Sequence, residues 1–324
     1  MCEVQPANSS RVHGLQQLSL FLGGVLLAGA VLAPPLCWAA QAVMQVLHID
    51  PSQPQGWPMS EIVKAGFERY FNRAVQISAI VGLVWMVRRA RSEGSVLPGL
   101  QPTRERWSEL AIGFALAAGL LLALGSVYCS TGIYTLRQPV PWTALTQPIT
   151  AALGAGIAEE VIFRGAILGI MLRSLSVHTA IFVTTFFFAI VHFLKPPDEF
   201  AIPVSHVTWS SGFTVIGAIL AHFGDWKFLL SEFFTLFAVG WVLAWARVRT
   251  GSLWASVGLH AGWVFGLKYF SALTKGSKAL RHGDYLPWIG ENLKVGLTPL
   301  LVILFTGFIM NRLVKTGPPD LASR

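Results

Sequence analysis

Gly156-Ile157-Ala158-Glu159-Glu160-Val161-Ile162-Phe163-Arg164-Gly165 sets two adjacent carboxylates and an arginine inside an apolar run that extends from Ile149 to Leu172. About 20 apolar residues are what a helix needs to cross a hydrocarbon core roughly 30 Å thick. Ionisable side chains at that depth cost roughly 2.5–3.5 kcal/mol each on insertion scales, so each needs a partner or a task. Glu160 and Arg164, four residues apart, share a helix face, where a charge pair offsets part of its own desolvation. Glu159 lies about 100° round the helix from Glu160, and Ala155 and Gly156, one turn back, open a gap for another helix to approach. A carboxylate facing such a crevice is a candidate general base. The plainer reading of the cluster is a buried ion pair that fixes helix packing.

The rest of the chain has the same solvent in view. Of its 324 residues, 53% are hydrophobic and only 12% charged, and the mean hydropathy is +0.57. That is too little polar material to coat a soluble globule. Further apolar runs at Leu18–Val43, Arg73–Val87, Leu110–Cys129, Val177–Leu194, Phe228–Ala246, Ser252–Phe270 and Val295–Met310 predict, with Ile149–Leu172, an all-α polytopic bundle of about eight spans. Gly212–Phe223 stops at Gly224-Asp225 and reads as a re-entrant or interfacial piece. The run from about Leu15 to Leu47 exceeds a signal-peptide core, so a retained first span is expected. No repeat or soluble domain is legible. Residues 1–140 read as N-terminal spans with a basic loop, 141–275 as the core, and 276–324 as a last span and tail.

A formal charge of +8 would suggest nucleic acid in a soluble protein; here it reads as positive-inside topology. Arg88, Arg89, Arg91, Arg104 and Arg106 make the densest basic cluster in a short loop, which is therefore expected in the cytoplasm. Alternation then puts both termini, Arg173 and the Arg247–Arg249 turn inside, and the loops at Tyr134, Asp198 and Lys275 outside. Lys275, Lys278 and Arg281 break the trend slightly. Cys2, Cys37 and Cys129 form an odd, scattered set that suggests neither a disulfide framework nor a thiolate zinc site.

Two imidazoles interrupt other apolar runs. His192 closes Phe188-Ala189-Ile190-Val191-His192, and His260 lies within Ser252-Leu253-Trp254-Ala255-Ser256-Val257-Gly258-Leu259-His260-Ala261-Gly262-Trp263. A lone histidine of this kind is more often a packing residue than a ligand. Two of them with a carboxylate, from three helices, match what is needed to hold and deprotonate a water. At 1.5 Å per residue Glu159 and His192 come to a common height about 20 Å in, and His260 one or two turns shallower. His178, His206, His222, Asp225 and Glu232 read as loop or interfacial residues, and Gly258 with Gly262 as a close-packing face.

The ordered set Glu159-Glu160-xxx-Arg164, Phe188-xxx-His192 and a histidine motif at His260, with the lead-in Gly240-Trp241-Val242 to Trp254, resembles the CPBP intramembrane protease family. That family includes type II CAAX prenyl endopeptidases and bacterial Abi proteins. The resemblance covers about residues 145–270. It implies Glu159 as the base that activates water, Glu160, Arg164 and Phe188 as its support, and His192 and His260 as residues that position the water or, with Glu159, bind a metal such as zinc. It also implies hydrolysis of a peptide bond, so a glutamate protease or a metalloprotease. The family motif has Asn four residues after the last histidine, where this chain has Val264. If that Asn donates to the oxyanion, its loss costs on the order of 3 kcal/mol unless another donor substitutes.

The expected partners are a membrane protein or peptide substrate and the lipid bilayer, with no nucleic acid. The expected location is the inner (plasma) membrane of a bacterium. A proton- or ion-coupled transporter, which also uses intramembrane Glu and His, and a catalytically weakened scaffold or immunity protein are the rival functions.

Overall fold

The computed structural model describes residues 7–50, 62–63, 65–91, 103–194, 196–197, 200–223, 226–290 and 292–314. Among the described residues the protein is all-α apart from one two-stranded ladder. Its helices are α1 (Ala7–Val46), α2 (Phe67–Arg91), α3 (Arg104–Ser130), α4 (Thr146–Gly154), α5 (Leu168–Ser174), α6 (Val177–Val191), α7 (Ser211–His222), α8 (Trp226–Thr250), α9 (Leu253–Leu273), α10 (Lys278–His282) and α11 (Leu297–Leu313). Each apolar run expected to span has a helical counterpart. Among the described residues two stretches are long and apolar enough to cross a membrane on length and composition, Gln16–Val46 and Glu105–Ser130. Helices α6, α7 and α11 are apolar but shorter, and α2 carries charges at both ends.

Two compact units divide the chain, one of residues 1–92 with 192–226, the other of residues 93–191 with 227–324. In the first, small residues let helices touch. A Cβ on Gly212 of α7 would stand 2.1 Å from the Ala30 carbonyl oxygen of α1. Phe67 and Phe71 of α2 fill the core beside Ala30, Ala33 and Cys37. The backbone N–H of Ile202 donates to Glu68 Oε1 at 2.6 Å, so this carboxylate ties the loop before α7 to α2.

The second unit is organised on α3 and α9. A Cβ on Gly258 would meet the Leu110 carbonyl oxygen at 2.3 Å, one on Gly262 that of Phe114 at 2.5 Å, and one on Gly125 the Phe270 ring at 2.6 Å. Residue numbers rise together along both helices, so they run parallel. Within lipid there is little hydrophobic drive between helices, and close backbone approach of this kind is what holds them. Since α3 and α9 end at the same end, the strands that follow can pair: β1 (Tyr134–Leu136) lies antiparallel to β2 (Thr274–Gly276), with Tyr134 opposite Gly276. At the other end the Arg106 guanidinium donates to the Thr250 carbonyl at 3.1 Å, a cation on the last turn of α8 where the helix dipole favours it.

The sequence differs from the structure at two places that matter for chemistry. The run Ile149–Leu172 is not one α-helix: between α4 and α5 the backbone adopts π-helical turns at Ala155–Glu159 and Val161–Ile167. Such turns are rare and change the angle between neighbouring side chains from the α value. Helix α6 ends at Val191, so His192 sits in a turn rather than inside a span. Pro196-Pro197 follow closely, and proline disfavours helix in the residue before it.

Candidate active site

The absence of a side chain at Gly156 begins the site. A Cβ there would lie 2.8 Å from Ala261 Cβ, so the first π-helical segment rests directly on α9, one residue from His260. This is the crevice expected beside Glu159, and α9 fills it. The second segment then turns the side chains of Glu160 and Arg164 into the unit, where both are fully buried.

Glu160 Oε1 is the hub. It accepts from Arg164 Nη1 at 2.8 Å and lies 2.8 Å from His260 Nδ1. The second terminal nitrogen, Nη2, donates to the Gly240 carbonyl at 3.2 Å. The Arg164 guanidinium carbon stands 4.3 Å from the centre of the Phe188 ring, and that ring meets the His260 imidazole edge-on at 6.1 Å. The buried charge is thus matched by a carboxylate, a carbonyl and an aromatic face, the compensation that a desolvated guanidinium requires. Gly240 contributes by being small: a Cβ would stand 3.0 Å from the Phe188 ring and 3.1 Å from Thr185 Cγ2, so α8 can bring its carbonyl to the arginine.

A carboxylate only accepts, so the Nδ1 atom of His260 carries the hydrogen directed at Glu160. In neutral imidazole that leaves Nε2 with its lone pair. Nε2 lies 3.8 Å from Glu159 Oε2. The Glu159 side chain is 32% exposed, against 7% for His260 and none for Glu160. The two neighbouring carboxylates therefore differ in kind: Glu160 is sealed among its partners, whereas the Glu159 side chain is partly exposed, with the oxygen nearest His260, Oε2, itself buried.

The depth comparison from helix rise put His260 one or two turns shallower than Glu159; its contacts with both carboxylates correct this. Straight-helix counting fails because π-helical turns and helix lean both change the height reached per residue. His192, half-buried, opens the stretch that belongs to the first unit. Val264 is half-buried on α9. Gly240 was legible only as part of a motif lead-in; a glycine within an apolar helix is the signal that its backbone is approached closely. Among the described residues no group of three or more His, Cys, Asp or Glu side chains is placed to hold a metal ion. The donor set seen, one carboxylate and one imidazole nitrogen, does not fit zinc, and no step below passes through a metal.

Comparison with protein families matches residues 141–266 to a family described as Type II CAAX prenyl endopeptidase Rce1-like. Over these residues the chain is similar to the CPBP intramembrane protease family. The CPBP-like region contains Glu159, Glu160, Arg164, Phe188, His192, Gly240 and His260, and its limits fall close to those of the sequence resemblance. No curated protein and no solved structure matches the chain. The family is one of membrane-embedded proteases, and with its apolar helices the CPBP-like region marks this as a membrane protein.

Proposed function

We propose that the protein is an intramembrane endopeptidase in which Glu159 is the general base. The observation that carries this reading is the chain Arg164–Glu160–His260–Glu159, in which a sealed ion pair fixes one imidazole tautomer and aims its free nitrogen at a partly exposed carboxylate. In the proposed reaction Glu159 takes a proton from water as the water attacks the scissile carbonyl, then delivers it to the leaving amine. His260 Nε2 accepts a hydrogen bond from that water and orients it. Glu160 holds His260, and Arg164 holds Glu160. A positioned base of this kind contributes roughly 10²–10⁴-fold to rate. His192 is proposed as the second imidazole of the site.

The proposed architecture is a bundle of about eight spans with residues 141–275 as the catalytic core, both termini in the cytoplasm, and a bacterial plasma membrane around it. The proposed substrate is a membrane protein or membrane-associated peptide that reaches Glu159 from the bilayer or its surface. The helical packing at Gly156, Gly258 and Gly262, which leaves the catalytic residues between helices rather than in a soluble cleft, supports entry of that kind.

Hydrolysis is tested by reconstituting the protein in liposomes with candidate membrane peptides in H₂¹⁸O. One ¹⁸O atom should enter the new carboxyl terminus of each cut peptide. The reading fails if no peptide is cut while the liposomes show proton or ion flux that Glu159→Gln abolishes, since that result describes a transporter.

A further inference from the structure

At the ladder end of the second unit, away from the carboxylate–imidazole centre, a cavity of about 410 Å³ is lined by Arg137, Gln147, Lys268, Ser271, Asn292 and Lys294 with two apolar residues. Three of these are cations and none is a carboxylate. The Lys294 ammonium is already paired with Glu232, which also anchors the loop before α11 to α8. Arg137 and Lys268 are exposed, and among the described residues neither side chain pairs with a carboxylate. The Gln147 and Asn292 amides add neutral donors. An excess of donors and two cations without a carboxylate partner among the described residues favour, around one concavity, an anion with several acceptor oxygens.

The setting narrows the source of that anion. The backbone N–H of Arg137 donates to the Leu273 carbonyl at 2.9 Å, so the arginine is fixed beside the end of α9. The Tyr269 hydroxyl, next in sequence to Lys268, donates to the Trp142 carbonyl at 3.3 Å. Trp142 and Trp288, on the loops that supply the two sides of the cavity, are 59% and 58% exposed. Exposed indoles beside cations at the ends of apolar helices mark the headgroup level of a bilayer. Eight residues separate His260 from Lys268 on α9, about 12 Å of rise, so the cavity lies well outside the catalytic centre.

We infer that this cavity is a binding site for a phosphate group, supplied by the headgroup of an anionic glycerophospholipid. Arg137 and Lys268 provide the charge, and Gln147 and Asn292 the neutral donors. Basic pockets between membrane helices take lipid head groups on the cytoplasmic side, and the same phosphate chemistry applies at this end, which the proposed topology places outside. The site does not depend on the catalytic reading, because none of its residues touches Glu159, Glu160 or His260.

The full chain, purified in detergent, is titrated separately with short-chain phosphatidylglycerol, with phosphatidylcholine of the same acyl length and with inorganic phosphate, and binding is read by native mass spectrometry and thermal shift. Phosphatidylglycerol is expected to bind about tenfold more tightly than phosphatidylcholine, and Arg137→Gln with Lys268→Gln to remove that preference, the equivalent of about 1.4 kcal/mol. Lys278→Gln, which removes an exposed charge near the same end, should leave it intact. If inorganic phosphate displaces the lipid from the wild type and not from the double variant, the shared phosphate chemistry holds and free phosphate is a second source. If it displaces nothing, the whole headgroup is recognised. Equal binding of the two lipids by the wild type, or loss of preference in Lys278→Gln as large as in the double variant, overturns the inference.

Discussion

Glu159 and Glu160 are neighbours in sequence with opposite surroundings, and their substitutions should separate accordingly. Glu160→Ala leaves the Arg164 charge buried without its ion-pair partner, with the Gly240 carbonyl, the Phe188 ring and the more distant Glu159 charge remaining, a loss of about 3–5 kcal/mol. Thermal unfolding should therefore fall sharply in Glu160→Ala and stay near wild type in Glu159→Gln. Similar unfolding temperatures in both would mean that the buried pair is not formed. Phe188→Leu removes the aromatic face over the guanidinium, worth about 1 kcal/mol, and should lower the unfolding temperature by less than Glu160→Ala does. The pairing of Glu160 with Arg164 was legible from their four-residue spacing. The contact of Glu160 with His260 was not, because it joins residues a hundred positions apart through helices whose register no spacing rule supplies.

At the scale of elements, the crevice beside Glu159 was legible from Ala155 and Gly156, small residues one turn before the charge. What filled it was not. Nothing in the local sequence announces the π-helical turns either: apart from Glu159 and Arg164, Ala155–Glu159 and Val161–Ile167 hold only apolar residues and glycine, and the first of the turns packs on α9 at Gly156. Position 156 tests that fit. Gly156→Leu pushes a side chain into Ala261 and displaces His260 from the carboxylates. A misplacement near 1 Å can cost on the order of 100-fold in rate, and turnover at saturating substrate should fall by about that much with membrane insertion unchanged. Gly154→Ala, where a Cβ meets nothing within 4 Å, should keep full activity. Equal loss in both would mean that helix perturbation, rather than contact with α9, limits the reaction.

For the whole molecule, helical class and membrane character follow from hydropathy alone, and each apolar run is largely helical, with Ile149–Leu172 divided into α4, two π-helical segments and α5. The span count is less legible because α6, α7 and α11 are too short to pass a length test by themselves, and what a short helix does in a bilayer depends on its neighbours. The β1–β2 ladder fixes that Tyr134 and Lys275 share one end of the second unit, and the Arg106–Thr250 contact fixes the other. In a background lacking Cys2, Cys37 and Cys129, Lys275→Cys should react with an impermeant maleimide added outside intact cells, and Glu105→Cys only after lysis. The reverse pattern would invert the proposed topology while leaving the site unchanged.

Peptide cleavage by Glu159→Gln in proteoliposomes tests the central claim most directly. Glutamine keeps the shape of the side chain and removes its basicity, so the protein should insert and unfold like the wild type while cleavage falls by roughly 10²-fold or more. Cleavage at the wild-type rate by a correctly inserted Glu159→Gln protein would contradict the assignment of Glu159 as the base.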